Sequence, residues 1–228
     1  MFETLSISYY QLFVFIHLLL FVLWLGADVG VNMLGQHFRK REKYDLPQRM
    51  ILLQLLVNLD MIPRTAWALM VPVSITMLSF GGYWQVPTSI LLFVWAIGGF
   101  WTWLVWDAHL HDQTPRAARD RKIESILKYA LTIFYLGLGS YSLIYGEPLA
   151  STWLALKAIL FGLIFFAAIM IDVFFKPVGP LLMDLINKGS SEETEIPLLK
   201  TMNVSRLWVW VVYLLLLLTA FLGNVKPF

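Results

Sequence analysis

Cysteine is absent from the 228 residues, which excludes disulfides, Fe–S clusters and thiolate metal sites. Charge is scarce too. Asp, Glu, Lys and Arg make up 14% of the chain, where a soluble domain carries roughly 25%. Histidine occurs four times, too few for a histidine-rich di-iron desaturase or hydroxylase. A net charge of only +2 leaves no electrostatic footprint for nucleic acid. No soluble domain and no internal repeat is recognisable.

The chain is instead 59% hydrophobic, with a mean hydropathy of +0.70. Its apolar residues gather into long uncharged runs over residues 9–33, 65–80, 89–106, 126–145, 153–174 and 207–223. Each run is close to the ~20 residues that cross a ~30 Å hydrocarbon layer, the second being short and extended by a preceding helix. The expectation is an all-α polytopic transmembrane bundle of about six spans, forming a single domain over residues 1–228. The first ten residues carry Glu3 and no Lys or Arg. A secretory signal needs a basic start, so the first helix is expected to remain as a span.

The basic residues fall into alternate connections, 36–48, 108–124 and 176–205. Arg39, Lys40, Arg41 and Lys43, with Arg49 just beyond, follow the first span. Arg116, Arg119, Arg121 and Lys122 follow the third, and Lys176, Lys188, Lys200 and Arg206 the fifth. Residues 81–88 and 146–152 contain none. This asymmetry predicts cytoplasmic basic loops and both termini outside, in a multi-pass protein of the bacterial inner membrane. Trp84, Trp106, Trp153 and Trp208 stand near span ends, as an interfacial belt requires.

Residues 48–61 read as a helix leading into the second span and perturbed at Pro63. Residues 181–187 read as a further short helix. Residues 189–195, with Glu192, Glu193 and Glu195, read as a solvated, mobile surface loop that buries nothing.

His17 lies about eight residues into the first span, and His37 a further ~30 Å along the same helix. They cannot share a metal. His109 and His111 stand at the inner end of the third span, so one histidine is outer and three are inner. A two-haem cytochrome of the quinol-oxidising type would need two depth-matched pairs. Haem at His17 would therefore take a different second ligand or leave an open site. Lys157, near the same depth in the fifth span, is one candidate; a neutral lysine in a low-dielectric bundle can ligate iron. It can equally snorkel to the headgroups. Met77 in the second span is a softer candidate, though most methionines fill gaps.

The segment His17-Leu-Leu-Leu-Phe-Val-Leu-Trp24-Leu-Gly26 resembles the opening of HemJ-type and copper-resistance-D-like bacterial membrane proteins. Met61-Ile-Pro-Arg-Thr-Ala-Trp67 and the Trp153-Leu-x-x-Lys157 of the fifth span are similar to features of the same group. The resemblance covers about the first 80 residues and the fifth span. The lysine motif stands later in the chain than in HemJ-type proteins. The resemblance implies a b-type haem at His17 and Lys157, with oxidation of protoporphyrinogen as the HemJ activity. The copper-resistance likeness would imply copper movement, for which the chain offers no Met-rich or Cys-bearing path.

The inner cluster is a second candidate site. Asp107 and His111 are four residues apart on one helix face, so the carboxylate can orient the imidazole. If spans one and three pack side by side, His37, His109, Asp112 and Asp28 join them in a sulfur-free set suited to Zn, Fe or Mn; the competing reading is ordinary interfacial polarity. Intramembrane charges complete the inventory. Asp28 lies between Gly26 and Gly30, whose spacing permits close helix approach. Asp60 and Arg64 are placed for an i,i+4 pair, and Asp172 ends the fifth span. Structural ion pairing and function are equally economical for these. The functions in view are a haem-b redox protein, a non-catalytic subunit of a larger membrane complex, and an ion- or proton-coupled transporter, copper included; besides the lipid bilayer, the candidate partners are other subunits of a membrane complex or a quinone.

Overall fold

The computed structural model describes residues 7–227, so Glu3 lies outside the described residues. Eight helices follow in order: α1 (Tyr9–Phe38), α2 (Leu46–Leu59), α3 (Met61–Phe80), α4 (Thr88–Leu110), α5 (Pro115–Tyr145), α6 (Thr152–Phe175), α7 (Val178–Lys188) and α8 (Glu192–Val225). No strand occurs among the described residues. Six helical stretches are long and apolar enough to cross a bilayer, with α2–α3 and α6–α7 each counting as one. The chain is an all-helical, multi-pass membrane protein. Its outward faces carry large apolar side chains such as Phe15, Leu92, Ile133 and Leu207, which a lipid solvent accommodates.

The helices run longer than the apolar stretches. α5 has 31 residues and α8 has 34, about 46 and 51 Å against a ~30 Å hydrocarbon layer. The surplus lies in the charged starts, 115–125 and 192–206. The helix break before α3 falls at Asp60. Pro63 has no N–H to give the carbonyl of Leu59, and regular bonding resumes where Arg64 N donates to Asp60 O at 3.3 Å.

The chain divides into two compact units, the first ending at Val31 and resuming over Val57–Glu124, the second formed by Asn32–Leu56 with everything from Ser125 onward. In the first unit α3 and α4 pack closely. A methyl group added at Gly98 would lie 2.6 Å from the Pro72 ring. Two indoles lock the antiparallel register: Trp95 Nε1 donates to Thr76 Oγ1 at 2.9 Å and Trp106 Nε1 to Thr65 Oγ1 at 3.0 Å. Each threonine hydroxyl donates back to its own helix, to Pro72 O and Met61 O, leaving a lone pair for the indole. Trp106 thus fastens helices as well as standing near a span end.

In the second unit α5 and α6 cross at Gly139 and Gly162, and α8 runs along α6. α7 is amphipathic: Val178 and Leu185 join Phe38 and Leu198 in a buried cluster, flanked by Leu46, Met50, Leu53 and Met202, while Met183 and Ile186 face outward. Trp153 is buried, with the Lys226 amine 5.2 Å from its ring centre, so it is a packing residue rather than an exposed belt member.

Residues 189–195 are only in part a solvated loop: residues 190–193 are exposed, but α8 begins at Glu192, and Thr194 and Glu195 are buried. Ser191 caps α8, with Thr194 N donating to its hydroxyl and Thr194 Oγ1 accepting from Ser191 N. This reciprocal box satisfies two donors that a helix start would otherwise strand. It also turns Thr194 and Glu195 inward, both buried.

Candidate functional site

His17 belongs to the first unit. Seven residues separate it from Tyr10 and seven more from Trp24, so the three share one stripe of α1. That stripe faces α3. A methyl group at Gly81 would lie 2.7 Å from the Tyr10 ring, and the Trp24 and Trp67 rings stack at 5.6 Å. Midway between these contacts the register sets His17 at the level of Ser74, with Met77 one turn away on the same face of α3 as Gly81 and Ser74. The seam is aromatic throughout. Phe13 meets Phe80 and Trp95 at 5.7 and 6.4 Å, and Trp67 meets Trp101 edge-on at 5.0 Å. The Nδ1 of His17 is shielded from solvent within it, and Met77 is half-buried.

Lys157 belongs to the second unit. Its amine lies against Gly223 in the last turn of α8, in space that a side chain at that position would occupy.

At the inner end of α4, Asp107 is buried and its carboxylate takes two bonds from Arg116, at 2.6 and 2.5 Å. His111 Nδ1 sits 3.0 Å from the Asp107 backbone carbonyl and 3.4 Å from its carboxylate. The guanidinium, not the imidazole, is thus the main partner of Asp107, because a bidentate charged fork outcompetes a single ring nitrogen. Beside Asp107 lies Asp120, fully buried, accepting from Arg119 at 3.0 Å. Glu124, also buried, accepts from Trp101 Nε1 at 3.4 Å. Asp112 pairs with Arg121, whose hydrogen bond holds its carboxyl below the ordinary aspartate value against the opposing effect of burial. His109 turns its ring edge to Trp106. His37 lies in the second unit, its Nδ1 2.8 Å from the Tyr44 hydroxyl. Among the described residues, no group of three or more His, Cys, Asp or Glu side chains is arranged to hold a metal ion.

The intramembrane charges are largely structural. Asp60 and Arg64 pair at 2.5 Å as their spacing requires. Asp172 takes Lys128 of α5 at 2.9 Å, a lysine the spacing did not single out. Asp28 is half-buried on α1. Of its flanking glycines only Gly30 is closely approached, by the Leu59 side chain; Gly26 has open space around it.

The most fully built polar site was not legible in the sequence. Arg49 and Glu195 are 1% and 0% exposed. Arg49 donates to Glu195 at 2.5 and 3.0 Å and to Phe38 O at 2.7 Å, and its guanidinium lies 4.8 Å from the Phe38 ring centre. Ser190 adds a bond of 2.7 Å to the carboxylate. Burial pushes the Glu195 carboxyl up, but the bonds from Arg49 and Ser190 and the nearby charges of Arg49 and Arg41 outweigh it, so its pKa falls below the ordinary glutamate value. The site is saturated with internal partners and reads as a clamp of the fold. Comparison with protein-family models, with curated proteins and with solved structures returns no match for this chain.

Proposed function

We propose that this protein of the bacterial inner membrane holds haem b in a redox role, as its resemblance to HemJ-type proteins implies. The supporting observation is the placement of His17: on the α3-facing stripe of α1, within an aromatic seam, with a ring nitrogen screened from water. The donor set is right for iron. An imidazole and a thioether are the haem ligands of electron-transfer cytochromes, and helix register puts Met77 within one turn of the level of His17. His17 and Met77 would hold the iron, and haem so bound supplies one-electron chemistry. Tyr10, Trp24 and Trp67 exclude water from the ligands, which sets the local dielectric and hence the potential. The amine of Lys157, the second ligand that the resemblance implies, lies against the last turn of α8.

Protein purified in mild detergent is expected to show a Soret band that His17→Ala abolishes. Met77→Leu should keep the colour and lower the reduction potential, because a methionine ligand raises it. Wild-type protein that stays colourless even after haem is added overturns the reading.

The same proposal places the basic loops in the cytoplasm. Because no native cysteine exists, single introduced cysteines report sidedness without background. Glu147→Cys should label from outside intact cells, and Lys43→Cys and Arg119→Cys only after permeabilisation. Opposite labelling of Lys43→Cys and Arg119→Cys would remove the topology.

A further inference from the structure

The turn after α1 carries Arg39, Lys40, Arg41 and Lys43, and with Leu199 of α8 and a single acidic residue, Glu42, it lines a cleft of about 390 Å³. All of these residues belong to the second unit. Arg206 of α8 stands close enough for its charge to act on Arg39. The two arginines have unusual partners. Arg39 donates to Asn203 Oδ1, and Arg206 Nη1 donates to Gln36 Oε1 at 3.1 Å. Both acceptors are neutral amides, and among the described residues neither guanidinium has a carboxylate partner. The buried Glu195 of the same unit is committed to Arg49 and Ser190. Two like charges brought together from the turn after α1 and from α8, both half-buried, repel each other and are costly to desolvate. Partial burial, and then Arg206, accordingly depress the pKa of Arg39. Such a pair is completed by an anion that both forks can grip, and a phosphate suits planar guanidinium geometry.

We propose that Arg39 and Arg206, supported by Lys40 and Lys43, form a phosphate-binding site whose ligand is the headgroup of an anionic phospholipid. The position favours a lipid as the source. The cluster begins at the residue after α1 ends, where a membrane-crossing helix meets the headgroups, and basic clusters there attract anionic lipid at about 1 kcal/mol per cation. Leu199 gives the cleft an apolar wall, as an acyl glycerol would require. Glu42 sits at the exposed rim, where water screens it.

The test uses the full chain in neutral detergent, with bound ligand counted by native mass spectrometry. Phosphatidylglycerol, phosphatidylcholine and inorganic phosphate serve as the three probes. Wild type should retain phosphatidylglycerol in preference to phosphatidylcholine, and Arg39→Gln with Arg206→Gln should reduce that preference about tenfold or more. Arg39→Lys with Arg206→Lys should keep part of it, since charge survives and the fork does not. Arg206→Gln alone, which leaves the Arg39–Asn203 bond in place, should move in the same direction if the double variant does not fold. Inorganic phosphate binding as tightly as the lipid would keep the site and change its source to a soluble phosphate. Wild type that binds neither phosphate nor the anionic lipid selectively, or a folded Gln variant that keeps the preference, overturns the proposal.

Discussion

Glu195→Ala is expected to destabilise the protein by about 3–5 kcal/mol, the range for removing one partner of a buried ion pair. The reason lies in what remains. Arg49 would keep its bond to Phe38 O and its contact with the Phe38 ring. It would still hold a full charge, 1% exposed, with no carboxylate. Glu195→Gln should cost less, because the amide oxygen retains one hydrogen bond while the charge is lost. Replacing both partners, with Arg49→Met and Glu195→Leu together, should recover most of the loss, since a well-packed apolar pair of similar volume is often neutral relative to a buried salt bridge. Unfolding by denaturing detergent, followed by tryptophan fluorescence, measures all three. A single Ala variant as stable as wild type would show that this clamp is not holding α8 to α2 and the end of α1.

The same pair fixes an acid limit. The folded carboxyl of Glu195 is depressed below its unfolded value of about 4.3. Its contribution is therefore complete above that value. It is lost as pH falls through the lower, folded value, because the unfolded chain takes up the proton first. Wild type should lose stability in that acid window, and the Met/Leu double variant should lose less.

Neither residue could have been found from the sequence. Arg49 reads as one more topology signal, and Glu195 sits in a run of Ser, Glu and Thr whose composition favours solvent. The partners are 146 residues apart, so no local spacing reveals them. The Ser191–Thr194 box is also weaker in sequence than the usual form ending in Glu or Gln, and its effect is to point Glu195 inward. The span pattern, by contrast, was legible, because hydrocarbon thickness imposes a length on every crossing helix. The break at Asp60 was legible from Pro63, and the Asp60–Arg64 pair from its spacing. For the candidate site, the position of His17 early in the first span was legible and its neighbours were not. The facing positions on α3 follow from the Tyr10–Gly81 and Trp24–Trp67 contacts, which periodicity alone does not provide. Asp107 shows the converse: the i,i+4 rule brought His111 near it correctly, but Arg116, nine residues on at the start of α5, reaches back and takes the carboxylate.

Glycine spacing gave a similar lesson, and its test separates two residues on one helix. Gly26 and Gly30 have the four-residue spacing of a helix crossing, yet the tight crossing in the second unit uses Gly139 and Gly162. A methyl group at Gly139 would lie 2.6 Å from Ala155 O and 2.9 Å from Ile159 N, both backbone atoms of α6. At Gly162 it would lie 3.0 Å from Leu136 N of α5. Backbone atoms cannot swing aside as a side-chain end can, so α5 and α6 must separate to admit even one carbon. Gly139→Ala should therefore destabilise by about 1–3 kcal/mol, the range for overpacking a close contact. Separation would also strain the Lys128–Asp172 bond between the same two helices. Gly137 is two residues away on α5 with nothing within 4 Å of an added carbon. Gly137→Ala should be neutral or stabilising by up to about 1 kcal/mol, through helix propensity alone. The comparison cancels any general effect of lengthening a side chain on α5. Equal responses at the two glycines, measured in the same detergent unfolding assay, would mean that α5 and α6 do not approach this closely.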